Sequence, residues 1–315
     1  MEVTCWLIAL FVILLLAFAF VNYMTSSHGI FEKLGINIPP KSPVLGHFGH
    51  SLKQVYGWYD TRTPILVVKD LDMIKDILVK NFNYFVDRRV PMEHDEPFRD
   101  NLLTLRGDRW KHVRASVSPT FSSGRIKKMS PHIERNAKIL LENLKEKQES
   151  GQEVELKEMC GFFALDTIAS IAFGIDINTL KNPENKFAQE TKKITNPNPL
   201  LFAIAVFFPV LAPWLTRFGL PFFPNKSMKY LASVVDSVVA ARKRDGTEGT
   251  VNDFLDLVTS EAQEQGVKER LSLSEIHAQS IIFIFGGLET ISTVMSFTLF
   301  LLAVHPECLE RAQKE

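Results

Sequence analysis

The stretch Leu273–Val304, LSEIHAQSIIFIFGGLETISTVMSFTLFLLAV, is the longest apolar run with helical character in the chain. Ser272 and Glu275 stand at capping-box spacing in front of it. Pro306 lies just beyond its end, where a helix is expected to stop. Its middle is unusual. Gly286 and Gly287 sit side by side, each costing roughly 1 kcal/mol against alanine inside a helix. Glu289 and Thr290 follow at once. A weak point in the backbone beside an acid–alcohol pair, within a greasy helix, is an arrangement placed for chemistry. A helix that is apolar all round is buried, either in a large protein core or in a membrane. Residues 280–304 are long enough for a span, and Glu289 would then cost about 2.5–3.5 kcal/mol at its centre. Composition alone leaves both readings open.

Outward from this helix, the 315 residues are enough for two average domains or one large one. With 36 basic and 36 acidic residues the net charge is zero, which gives no global argument for nucleic acid. Phe is plentiful (24) and Tyr scarce (5), as suits a greasy core, an apolar ligand pocket or a membrane-facing patch. Cys5, Cys160 and Cys308 are scattered, without disulfide or metal-site spacing, so no metal ligands are assigned.

Residues 3–21 are apolar except Thr4, long enough to cross a bilayer. The run is preceded only by Glu2, which argues against a cleaved secretory signal. The positive charge follows, at Lys33 and Lys41, and places the body on the cytosolic side. Residues 1–24 are therefore expected to be a transmembrane anchor, 25–50 a Pro-rich hinge, and 51–315 the body. Pro39, Pro40 and Pro43 stiffen the hinge. VYGWYD (55–60) and PILVV (64–68) read as two short strands, followed by a helix with Asp70 as N-cap. DRWKHVR (108–114) puts Trp110 and Arg114 on one helix face, an indole N–H beside a guanidinium. Arg125, Lys127 and Lys128 add a small basic patch. Helices are expected over 130–150, 154–173, 227–244 and 253–262, with Gly151 and Gly174 as stops. Residues 200–215 are apolar but broken by Pro209 and Pro213, which fits a membrane-dipping segment or a lid over an apolar pocket.

FIFGGLETIS (283–292) resembles the central helix of the cytochrome P450 family, whose pattern there is Ala/Gly-Gly-x-Asp/Glu-Thr-Thr/Ser. WKHVR (110–114) is similar to the family's Trp-x-x-x-Arg helix. FVDRR (85–89), SPTF (118–121) and QSIIFIF (279–285) resemble its microsomal 3A-type branch. The resemblance implies a mainly α fold with a small β-sheet, incomplete at the C-terminus, behind an N-terminal membrane anchor. It implies a haem monooxygenase of the endoplasmic reticulum membrane. The enzyme would oxidise lipophilic small molecules with O2 and electrons from NADPH, delivered by a reductase, with cytochrome b5 as a second donor. By the same resemblance Arg88, Trp110 and Arg114 would bind haem propionates, and Gly286 and Gly287 would open the backbone over the haem. Glu289 and Thr290 would relay protons. Ile282, Phe285 and the Phe-rich 200–223 segment would line or cover the substrate pocket. The basic residues Lys111, Lys127 and Lys128 would face the electron donor.

Three departures qualify the resemblance. The family's iron ligand is a Cys thiolate in a Phe-x-x-Gly-x-Arg-x-Cys-x-Gly loop, and no such loop occurs in the 315 residues; Cys308, in HPECLE, has neither the glycine nor the arginine frame. Ile291 stands where the family has Thr or Ser. The chain between hinge and first strand is short. The expectation is that this polypeptide alone does not complete a thiolate-ligated haem and is inactive by itself. The rival readings are a polytopic membrane protein with spans near 3–21, 200–215 and 280–304, and a haem-free truncated isoform.

Overall fold

Apolar periodicity and turn residues divide the chain into helices joined by Gly, Pro and Asn breaks, with one β-hairpin near the start. The computed structural model describes residues 2–40, 53–60, 62–88, 96–208, 211–247, 250, 253–259 and 271–314. They form two compact units, Met1–Val86 and Asp87–Glu315.

In the first unit, α1 (Glu2–Thr25) leaves its apolar side chains exposed from Trp6 to Val21. It is long and apolar enough to cross a membrane. A short α2 (Ile30–Lys33) follows. The antiparallel hairpin is β1 (Val55–Asp60) and β2 (Thr63–Val68), with Val55 opposite Val68 and Asp60 opposite Thr63. The strands fall where aromatic and β-branched residues are concentrated. Tyr59 is fully buried, and its hydroxyl lies 3.0 Å from the Gly29 amide and 3.3 Å from Glu32 Oε2. Gly57 has to be glycine, because an added Cβ would sit 2.4 Å from the Phe31 ring. The expected N-cap is present: Asp70 accepts from Met73 N at 2.8 Å and opens α3 (Leu71–Lys75). Residues 41–50 of the expected hinge lie outside the described residues.

The second unit is helical. Its members are α4 (Gly107–Val117), α5 (Ser123–Glu149), α6 (Leu156–Phe173), α7 (Lys186–Thr195), α8 (Pro199–Phe207), α9 (Ala212–Arg217), α10 (Asn225–Asp245), α11 (Phe254–Thr259), α12 (Leu273–Val304) and α13 (Pro306–Lys314). The capping box forms as expected: Ser272 and Glu275 satisfy each other's amides at the start of α12. Gly151 and Gly174 terminate their helices in the left-handed conformation, at φ +67° and +64°.

Three differences from the sequence reading have local causes. α5 begins at Ser123, before the expected 130, and runs through Pro131. The proline removes one bond, to the Lys127 carbonyl, on an exposed stretch of the helix. α7 was not expected; its Phe187, Ala188, Thr191 and Ile194 are buried, the 3–4 spacing of an inward face. α13 was also missed, because Pro306 ends α12 and then serves as the first residue of a new helix.

The core gathers on the first half of α12. Ile276, Ile281, Ile282, Ile284 and Leu288 pack with Leu165, Ala172, Phe173, Leu231, Val235, Phe254 and Leu255. From Ile291 onward its large apolar side chains are mostly exposed, among them Val294, Phe297 and Phe300.

Candidate functional site

The two glycines of α12 face different surroundings. A Cβ added to Gly286 meets nothing within 4 Å. One added to Gly287 would lie 1.7 Å from Ile168 Cδ1 on α6. Gly287 thus permits close approach of two helices, while Gly286 leaves open space on an exposed face. The helix is continuous through both. Gly287 serves packing, and Gly286 stands on the open face beside it.

Thr290 lies one turn after Gly286 and is exposed on the same face; its hydroxyl donates to the Gly286 carbonyl at 2.5 Å. Val294 and Phe297 extend that face with exposed apolar area. Glu289 points elsewhere. Its Oε2 lies 3.3 Å from Lys157 Nζ on α6. With Leu288 and Ser292 it lines a groove of about 490 Å3 between α6, α7 and α12. The acid and the alcohol are neighbours in sequence, but the structure ties them to different partners.

α4 supplies the donor pair. Val113 and Val117 are fully buried and seat the helix on the core. Trp110 is half-buried and Arg114 exposed. The Asp87 carboxylate accepts from Gly107 N at 2.9 Å, which brings the neighbouring Arg88 beside the start of α4. Arg88 and Arg114 form no ion pair among the described residues. Arg89, the second arginine of that pair, lies outside them.

Phe285 is half-buried in an aromatic chain. Its ring centroid lies 6.2 Å from that of Phe98 and 6.3 Å from that of Phe223, both edge-on. Phe98 and Phe223 are 4.7 Å apart, Phe223 and Phe222 4.9 Å, and Phe222 and Phe202 5.6 Å. The Phe-rich segment after residue 200 therefore does reach α12. Ile282 is buried in the core beside it.

A clamp that the sequence reading missed joins α12 to the segment before α4. Gln279 is fully buried; its Oε1 accepts from Leu102 N at 2.9 Å and its Nε2 donates to Asp100 O at 2.8 Å. Ser274 donates to Asp100 Oδ2 at 2.5 Å. Glu275 forms a two-pronged ion pair with Arg109 of α4. Burial pushes the Glu275 carboxyl up, but the Arg109 guanidinium and Ser272 outweigh it and hold the group below its ordinary value. The only sequence signal was polar residues at 274, 275 and 279, on adjoining turns of an apolar helix.

The fold and this site define a class: a mainly helical body built on one long helix that carries a Gly-Gly-x-Glu-Thr face, with a Trp-x-x-x-Arg helix among its partners. A family model described as Cytochrome P450 matches residues 44–315. The chain belongs to the cytochrome P450 family. Within it the similarity runs to the 3A branch. The chain is 36% identical to cytochrome P450 3A7 of Homo sapiens over 313 residues, 93% of this chain and 62% of that protein. It is 34% identical to cytochrome P450 3A56 of Fundulus heteroclitus over 331 residues, covering 99% and 65%. With mouse cytochrome P450 3A11 the identity is 35% over 315 residues, covering 93% and 62%. The chain spans less than two thirds of the length of these relatives.

Proposed function

We propose that these residues form the oxygen- and substrate-facing part of a haem monooxygenase acting on lipophilic small molecules. The observation that carries this reading is the exposed face of α12, where Gly286 leaves room, Thr290 offers a hydroxyl and apolar side chains continue the surface. Arg88 and Arg114 fit the acidic edge of a haem: both guanidiniums are uncommitted among the described residues, and guanidinium forks match carboxylates. Trp110 would add an indole N–H.

Haem supplies O2 binding and redox chemistry when bound. The chain's own residues do the rest. Thr290 Oγ1 holds a proton at the open face, anchored by the Gly286 carbonyl. Glu289, in its groove beside Lys157, exchanges protons with solvent and resupplies the threonine through water. Gly287 keeps α12 tight against α6, so the face does not shift. Phe285, Phe98 and Phe223 exclude water from an apolar pocket, with Ile282 behind them. In the same reading α1 anchors the chain in the endoplasmic reticulum membrane with its body on the cytosolic side. Lys111, Lys127 and Lys128 dock an NADPH-dependent reductase, with cytochrome b5 as a second donor.

The test is a haemin titration of the purified chain in detergent, followed by Soret absorbance. Saturable binding is expected, and Arg114→Leu should weaken it about tenfold, the loss of one charge-assisted hydrogen bond. Identical titrations for wild type, Arg114→Leu and Trp110→Phe would overturn the assignment of the propionate donors.

A further inference from the structure

The end of α1 is tied to protein. Its large apolar side chains are exposed from Trp6 to Val21, and just beyond them Met24 is fully buried. That switch marks where the helix leaves its apolar surroundings. What it meets is the tip of the β-hairpin. The Arg62 guanidinium lies 4.2 Å above the centre of the Tyr23 ring, and the Ser27 hydroxyl donates to the Arg62 carbonyl. Further on, the Tyr59 hydroxyl accepts from Gly29 N and Phe31 N, at 3.0 and 3.3 Å, and the rings of His28 and Tyr59 lie 4.6 Å apart. Gly57 N donates to Asn37 O at 2.8 Å, and the Phe31 ring packs on Gly57. From Tyr23 to Asn37 the chain is thus held to the hairpin at successive points, which fixes the tip beside the last turn of α1.

The residues at this level suit a membrane surface. Tyrosine favours the headgroup depth, and an arginine there keeps its stem in apolar contact while its charge reaches the polar layer. Ile30 and Leu34, one turn apart around α2, are 40% and 66% exposed, and Leu66 of β2 is 46% exposed. Pro64 and Ile65, between Leu66 and the tip, are exposed as well. β2 is paired on one side only among the described residues. An open apolar strand edge invites aggregation in water, while its unpaired amides and carbonyls keep it out of hydrocarbon. The headgroup layer meets both demands, with polar partners for the backbone and acyl-chain ends for the side chains.

We propose that the hairpin tip lies in the headgroup layer of the bilayer that α1 enters. Arg62 contacts lipid phosphate, which a guanidinium fork fits, and Ile30, Leu34, Ile65 and Leu66 rest against the upper ends of the acyl chains. The inference rests on the reading of α1 as an anchor and adds a surface-lying contact whose place the anchor sets.

The experiment is depth-dependent fluorescence quenching of the full chain in vesicles of phosphatidylcholine and phosphatidylserine. Cys5→Ser, Cys160→Ala and Cys308→Ser clear the background. A fluorophore is then attached at Leu66→Cys, at Leu14→Cys within α1, or at Lys145→Cys on α5 as a solvent reference, and the lipids carry a nitroxide either on the headgroup or deep in the acyl chain. The Leu66 probe should lose fluorescence to the headgroup nitroxide and much less to the deep one. The Leu14 probe should show the reverse, and the Lys145 probe should respond to neither. Arg62→Gln should lower the ratio of docked to undocked hairpin about fivefold, the contribution of one surface cation. Unaltered far-UV circular dichroism shows that each variant has folded, and a probe at Leu34→Cys repeats the measurement off the strand. If the Leu14 probe is quenched and the Leu66 and Leu34 probes behave like the Lys145 probe, the inference is overturned and the anchor stands. Stronger quenching of the Leu66 probe by the deep nitroxide also overturns it. A Leu14 probe that neither nitroxide reaches removes the anchor and the inference together. Quenching unchanged by Arg62→Gln overturns the phosphate contact.

Discussion

At the scale of single residues, neighbours in sequence do opposite work. Gly286→Ala should stabilise the fold by roughly 0.5–1 kcal/mol, since the position is helical and open. Gly287→Ala should destabilise by about 1–3 kcal/mol, because its Cβ runs into Ile168. Urea denaturation of both variants checks this, and adding Ile168→Ala to the Gly287 variant should recover part of the loss; equal stabilities would refute the division. Glu275 allows a pH argument. Its folded carboxyl is held below the ordinary value, first against burial and then by Arg109 and Ser272. The contribution is therefore fully present above the unfolded value near ~4.3 and is lost as pH falls through the depressed folded value. Stability against pH should be flat from this group between 7 and 5 and decline below about 4, and Glu275→Gln should remove that part of the decline. Arg109→Leu should cost about 1–3 kcal/mol at pH 7, by stranding a buried carboxylate while its own partly exposed charge adds little. The glycine pair, the acid and the alcohol were legible in the sequence. The ion pair of Glu289 with Lys157 was not, since those residues are far apart in the chain and nothing local to either marks the other.

At the scale of elements, the caps and stops were readable because their physics is local. Asp70, the Ser272–Glu275 box, Gly151 and Gly174 all act within four residues of themselves. The segment 98–105 was not readable. It contains no regular element beyond one 3-10 turn, Phe98–Asp100, and its order comes from side chains of α12. Gln279→Leu keeps the shape of the side chain but strands the Leu102 amide and the Asp100 carbonyl. It should cost about 1–3 kcal/mol, and hydrogen exchange at Leu102 should quicken sharply while the α6 amides stay protected. Unchanged exchange at Leu102 would show that the clamp does not hold the segment. α7 escaped the sequence reading because it is a ten-residue helix between two Asn-Pro breaks, too short for its 3–4 spacing to stand out from the loops around it.

At the scale of the whole molecule, both α1 and α12 are long and apolar enough to cross a membrane, and composition does not separate them. Packing does for the first half of α12, where Ile276, Ile281 and Ile284 are buried against neighbouring helices, whereas α1 from Trp6 to Val21 is exposed. Protease protection in microsomes should yield one protected fragment, containing α1. Protection of residues 280–304 as well would establish the polytopic arrangement instead. The family and many of the elements could be reached from the chain alone, because motifs such as FIFGGLET and WKHVR carry their identity in spacing, and helix periods and caps are short-range. What those residues face was decided only in three dimensions. Which glycine packs and which stays open, which partner holds Glu289, and which residue of the hairpin meets Tyr23 all depend on contacts between segments distant in sequence. Such contacts are selected by the shape and charge of the assembled core, and local patterning carries no record of them.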